Sequence, residues 1–134
     1  MNHRKFGRKL GRNSAHRRAL FKNQLRSLVQ HGRIETTHTK AKVLKRLADR
    51  LVTLGKKQSL HARRLAYAQL RSNELLARLF SEIAPQFAER EGGYTRILKS
   101  RRRHGDAAEM SIVEFVESKL HVAATGGSEP KSAE

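Results

Sequence analysis

Glycine and proline cut this chain into short pieces, and the lengths of those pieces limit what it can fold into. Gly32, Gly55, Pro85 and the pair Gly92-Gly93 separate stretches whose apolar residues keep a regular period. Behind Ser14, a candidate N-cap, Phe21, Leu25, Leu28 and Val29 recur at i, i+4, i+7 and i+8, one face of a helix. Gly32 is placed to close that helix in a left-handed cap. Thr37 can cap a second helix carrying Leu44, Leu47, Ala48, Leu51 and Val52, which Gly55 is expected to stop. Ser59 introduces a third helix with Leu60, Leu65, Ala66 and Leu70. Asn73 introduces a fourth with Leu75, Leu76, Leu79, Phe80 and Ile83. Pro85 should end the fourth, because it lacks a donor and its ring blocks the next turn.

Three other stretches read as strands. Arg33–Thr37 (RIETT) is short and contains β-branched residues. Gly92–Arg103 opens with a turn and becomes β-rich. Met110–Glu117 carries apolar residues on both faces, as expected of a strand covered fully on one side and partly on the other. The last two should pair as a hairpin with a basic loop near residues 101–108. The resulting expectation is an α+β domain over residues 14–117: four helices packed on a small three-stranded sheet. An extended basic arm, residues 1–13, precedes it, and a flexible tail of small and polar residues, 118–134, follows. The core is a single thin layer with no room for a deep ligand pocket.

Charge narrows the partner. The net charge is +17, from 29 Lys or Arg against 12 Asp or Glu. Residues 1–34 hold ten Lys or Arg and no carboxylate, since Glu35 is the first acid, and residues 92–105 hold five and none. Basic blocks of this kind repel themselves and need a polyanion, nucleic acid before anionic membrane. No apolar run approaches the length of a membrane span. There is no Cys, hence no disulfide framework and no thiolate metal site. A cytoplasmic protein is expected.

In the arm, Arg4, Lys5, Arg8, Lys9 and Arg12 recur every few residues with Gly7 and Gly11 among them. Cations at this density neutralise phosphates and release counterions, and Gly lets backbone approach a crowded phosphate surface. Lys40 and Lys42 crowd the second helix. His61, Arg63 and Arg64 sit together on the third. For each of these a solvated helix face is an equal alternative. Arg101, Arg102 and Arg103 are adjacent near the expected hairpin tip and suit a phosphate groove. Tyr94 can stack on a base or pack on the core.

Catalytic signals are missing. The seven His residues are scattered, with no HExxH spacing and no deaminase-type His-x-Glu with Pro-Cys-x-x-Cys. There is no GxSxG elbow and no phosphate-binding GK[ST] after Gly92-Gly93. No cofactor, metal or small-molecule substrate is expected. Composition alone does not separate RNA from DNA. A DNA-binding or nucleoid-associated protein and an enzyme or RNA chaperone with turnover are the alternatives at this level, although long arms on a small body suit a folded RNA.

Several longer motifs carry a resemblance. HRK at His3–Lys5, GRKLGR at Gly7–Arg12, Ser14 and His16-Arg17 begin it. HGRIETT at His31–Thr37, TKAK at Thr39–Lys42, LHARR at Leu60–Arg64, Leu79–Pro85, GGYTRILK at Gly92–Lys99 and Arg103–Glu114 continue it in order. Together they resemble the bacterial-type large-subunit ribosomal protein seventeen family over residues 1 to about 117. Asn2 and Gln86-Phe87 depart from the family pattern. The resemblance implies an α+β structural protein that binds large-subunit (23S) rRNA. It also implies a place beside other large-subunit proteins on the solvent side near the peptide exit, and no catalysis. Charge and resemblance together make His3, Arg4, Lys5, Arg8, Lys9, Arg12, His16, Arg17, Arg18 and Lys22 RNA-contact candidates. Lys40, Lys42, His61, Arg63, Arg64, Tyr94, Arg96, Lys99, Arg101, Arg102 and Arg103 complete the set.

Overall fold

The computed structural model describes residues 8–116. Its element order is α1 (Ser14–His31), β1 (Arg33–Thr37), α2 (His38–Lys57), α3 (Leu60–Leu70), α4 (Asn73–Arg78), β2 (Thr95–Arg102) and β3 (Glu109–Phe115). Helix α4 runs on without a break through a π turn, Leu79–Ile83, and a last turn, Ala84–Gln86. The architecture is therefore the expected α+β arrangement of four helical runs on a three-stranded sheet.

The sheet is antiparallel throughout, in the order β1-β3-β2. The last strand therefore lies in the middle. The register sets Ile34 and Ile97 on either side of Val113, and Arg33 and Arg96 on either side of Glu114. Because side chains alternate along a strand, these two sets fall on opposite faces. Val113 and Phe115 enter the core beneath the helices, joined there by Leu25, Leu28 and Val29 of α1 and Leu44, Leu51 and Val52 of α2. On the other face Glu114 is almost wholly buried, held by Arg96 Nε at 2.5 Å, with Arg33 Nε at 3.8 Å.

Several local expectations are corrected. The cap of α1 is Asn13 rather than Ser14: Asn13 Oδ1 accepts from the His16 backbone N–H at 2.8 Å. The cap of α4 is Ser72 rather than Asn73, its Oγ accepting from the Leu75 N–H. Adjacent cap-competent residues compete in each case, and the geometry selects the first. Thr37 occupies the N-cap position of α2 without a side-chain hydrogen bond. Gly32 does close α1 in the left-handed region, with φ 79°.

Gly55 does not stop α2. It is buried inside the helix, where an added Cβ would sit 2.9 Å from the Ala84 Cβ and 3.4 Å from the Leu79 Cγ. Its role is close approach of α2 to the fourth helical run. The helix ends instead at Gln58, which adopts φ 56° and donates from Nε2 to the Gly55 carbonyl. Leu60 and Leu65, expected in the core, are exposed. Ala62, Ala66 and Leu70 form the inner face of α3.

The fourth run passes Pro85 by one residue. Before it, the Ala84 N–H reaches back to the Leu79 carbonyl in the wide π spacing. Through this turn Leu79, Phe80, Ile83, Ala84 and then Phe87 are all buried. Tight bonds from Phe87 N–H to Ala84 O and from Ala88 N–H to Pro85 O then finish it.

Candidate nucleic-acid interface

The basic N-terminal segment is built as a turn before it is a helix. The Arg12 N–H donates to the Lys9 carbonyl at 3.0 Å, and Leu10 and Gly11 between them both have positive φ, 53° and 64°. This is the pattern of a tight primed turn, for which Gly at the second central position is suited. Arg17, one turn into α1, fastens it. Its guanidinium donates to the Arg12 carbonyl, to the Lys9 carbonyl at 3.4 Å and to Ser14 Oγ at 3.3 Å. Arg12 donates to the Leu10 carbonyl at 2.9 Å.

The candidates here therefore divide. Arg17 and Arg12 use donors to hold the turn, while Arg8, Lys9, His16 and Arg18 are exposed around it and Lys22 is half-buried. No carboxylate lies on α1 to compete for them. His3, Arg4 and Lys5 lie outside the described residues, as does the 118–134 segment.

Lys cannot reproduce the Arg17 fork, which reaches three oxygens from one planar group. Arg17→Lys is expected to weaken binding to an rRNA fragment about tenfold through lost pre-organisation. Because the charge is retained, the slope of log affinity against log salt should stay unchanged. Titrations at several salt concentrations check both.

The second cationic group lies on the β2–β3 hairpin, and its charge is more balanced than the sequence suggests. Strand β2 extends through Arg102, so Arg101 and Arg102 stand on the strand and the loop spans 103–108. The register is interrupted between Lys99 and Arg102. Within that irregular stretch, Ser100 Oγ and Arg101 Nε both donate to Glu35 Oε1, at 2.9 and 3.2 Å. Glu35 stands on β1, on the far side of β3. These two hydrogen bonds, Ser100 first, hold the Glu35 carboxyl below its ordinary range. Arg102 faces Glu109 at 3.9 Å, and Arg96 holds Glu114. Arg103 grips Asp106 through Nε and Nη2 at 3.1 and 2.5 Å.

The expected triad of uncompensated arginines is thus three ion pairs. All are exposed, where such a pair is worth only about 0–1 kcal/mol. Each guanidinium is consequently aimed but remains exchangeable for a phosphate. Lys99 is exposed on the same strand.

The tip pair has a measurable signature. Hydrogen bonding from Arg103, and then from the Ala108 N–H, pulls the Asp106 carboxyl down to about 2. A depressed carboxyl contributes its share to folding above its unfolded-state value and loses it as pH falls through the folded one. The loss should therefore run from the ordinary value of 3.8 down to about 2. NMR titration of the Asp106 carboxyl should give that low midpoint. Arg103→Ala should raise it only part of the way, since the Ala108 bond remains.

Other candidates are placed differently. Tyr94 is 4% exposed. Its ring meets Phe87 edge-on at 5.3 Å, and Lys56 Nζ donates to its hydroxyl at 3.1 Å. Of its two sequence readings the packing supports the core role, and no ring face is open for stacking. Lys56 also donates to the Arg90 carbonyl, and Lys45 to the Thr95 carbonyl, so these two lysines fix the Gly92-Gly93 turn and the start of β2 to α2. His61, Arg63 and Arg64 are exposed on α3, with Arg63 lying over the Phe80 ring at 4.5 Å. Lys42 is exposed and Lys40 half-buried in the first turns of α2.

Reading the sequence alone missed the acidic partners Glu35 and Glu114, together with Arg33. The alternation of RIETT puts Arg33 and Glu35 on one face, a usable hint, but their partners lie some 65 and 80 positions away. Among the described residues no group of three His, Asp or Glu side chains could hold a metal, and no helix is long and apolar enough to cross a membrane.

An α+β body that presents a cationic N-terminal turn and a basic hairpin defines the class as a small, strongly basic α+β protein. The model of the ribosomal protein L17 family matches residues 20–116. The chain is also 55% identical over 116 residues to the large ribosomal subunit protein bL17 of Fusobacterium nucleatum subsp. nucleatum, covering 87% of this chain and 100% of that protein. The chain belongs to the ribosomal protein L17 family, and it is a structural ribosomal protein, not an enzyme.

Proposed function

We propose that this chain is a structural constituent of the large ribosomal subunit, ribosome-associated in the cytoplasm, where it binds and stabilises folded 23S rRNA. The N-terminal turn and the arm before it are the principal clamp, and the β2–β3 hairpin is a second, weaker one. The observation that carries this reading is the absence of any carboxylate before Glu35, in a segment whose cations Arg8, Lys9 and Arg18 point into solvent. The relative's name and the family membership supply the particle. The motif resemblance supports large-subunit protein neighbours and a place on the peptide-exit side.

Deleting residues 1–13 tests the clamp. RNA association should fall by tenfold or more, about 1.4 kcal/mol or greater by the usual affinity arithmetic. The far-UV helical signal should persist. Loss of the helical signal would assign the segment to the core instead. Co-sedimentation with large subunits that survives DNase but not RNase separates this function from DNA binding.

A further inference from the structure

The described residues expose four large apolar side chains, Leu60, Leu65, Tyr67 and Leu98, and three of them lie on the eleven residues of α3. That helix turns Ala62, Ala66 and Leu70 inward at successive i+4 steps, against α1 and α2. Leu60, Arg64 and Tyr67, at i, i+4 and i+7, therefore lie on the outer side, and His61 and Leu65 carry that side round to its other edge. Leu60 is 64% exposed, at the start of the helix where the Ser59 cap fixes the chain. The apolar groups thus border the outer face of the helix, Leu60 and Tyr67 along one edge and Leu65 along the other, with the Arg64 guanidinium between them.

Along the chain, the charge on and beside this helix is of one sign up to Asn73. Residues 50–73 contain six Lys or Arg and no carboxylate. Arg63 is laid over Phe80, whereas Arg64 makes no ion pair with any described residue.

An occupant must supply both anions and apolar surface. Phosphate backbone supplies the first and would leave Leu60 and Leu65 without a partner. Interfaces between proteins concentrate this combination of Tyr, Arg and aliphatic side chains in their buried centres. We propose that the outer face of α3, formed by Leu60, Arg64, Leu65 and Tyr67, docks a neighbouring protein whose contact surface is apolar with carboxylates beside it. The proposal rests on the chain's place in the large subunit. It assigns α3 to protein contact and leaves RNA contact to the N-terminal segment and the hairpin.

Photo-reactive benzoylphenylalanine at position 65 of the full chain, irradiated in assembled large subunits, tests it. The expected product is a cross-link to one protein, at a peptide carrying Asp or Glu next to apolar residues. A cross-link to rRNA, or none, overturns it. The charge-neutral double variant Leu60→Ser/Leu65→Ser gives an independent readout. It should bind a 23S rRNA fragment with wild-type affinity and salt dependence, yet cut the protein cross-link formed from position 67 at least tenfold. Loss of rRNA affinity in that variant would assign the face to RNA and overturn the proposal. Failure of the wild-type chain itself to enter the particle would remove the large-subunit reading instead.

Discussion

Raising the salt from about 50 to about 200 mM is expected to weaken binding of the intact chain to a 23S rRNA fragment by about a thousandfold or more. The size follows from counterion release: each neutralised phosphate frees a condensed cation, and roughly six to ten such contacts multiply the effect. The cations that should dominate are those with no internal carboxylate, Arg8, Lys9 and Arg18 around α1, with Arg4 and Lys5 before them in sequence. Arg101, Arg102 and Arg103 should add less. Each already has an acidic neighbour in the free chain, and a pair that merely changes partner releases fewer counterions. Neutralising Arg8 and Lys9 should therefore flatten the salt slope more than neutralising Arg101 and Arg102. Fluorescence titrations over a salt series measure both slopes. A flat slope in the intact chain would mean that the cations face water, and the clamp would be wrong.

That ranking of the two basic groups was not legible in the sequence, and the reason is physical. Local pattern reports what neighbours in the chain do. The stripe Phe21, Leu25, Leu28 and Val29 is buried as its spacing predicts, Gly32 takes the left-handed cap, and RIETT is a strand. Pairing across the fold leaves no such trace. Glu35 meets Arg101 only because β3, last in sequence, inserts between β1 and β2, so a carboxylate on one edge reaches an irregular stretch on the other. Gly55 is the same lesson inside the core. Its composition signal, a helix stop, is overridden by the closeness of Ala84 and Leu79, which leaves no room for a side chain. Leu60 and Leu65 fail in the opposite sense: an apolar residue on a helix need not face that helix's own core, and here the inner positions belong to Ala62, Ala66 and Leu70. By pattern residues 1–13 are an extended, irregular arm, whereas the described part, residues 8–13, holds a tight turn fastened by Arg17. That fastening depends on carbonyl oxygens, which every sequence contains.

Phe87→Ala should cause the largest loss of stability, about 3–5 kcal/mol, because it empties the place where helices and sheet meet. Phe87 is fully buried directly after the fourth helical run, edge-on to Tyr94 at 5.3 Å and tilted against Phe115 at 6.2 Å. Tyr94 immediately precedes β2 and Phe115 ends β3, so one ring joins the helical layer to the base of the hairpin. Such a loss is a large part of the about 5–15 kcal/mol typical of a domain. It should lower the melting temperature on the order of 15 °C, read by circular dichroism. The functional consequence separates the two layers of the argument. The N-terminal cations Arg8, Lys9 and Arg18 lie in the turn before α1 and in its first turns and are exposed, outside the core cluster that holds Phe87, and effects at sites that share no partners are close to independent. In the cold, where the variant remains folded, its rRNA affinity should stay within about threefold of wild type, since no phosphate contact is removed. Deletion of residues 1–13 should do the reverse: it loses the affinity, while the lost Asn13 cap lowers the melting temperature far less than Phe87→Ala does. If Phe87→Ala instead abolished binding while still folded, the hairpin and not the N-terminal segment would be the principal clamp.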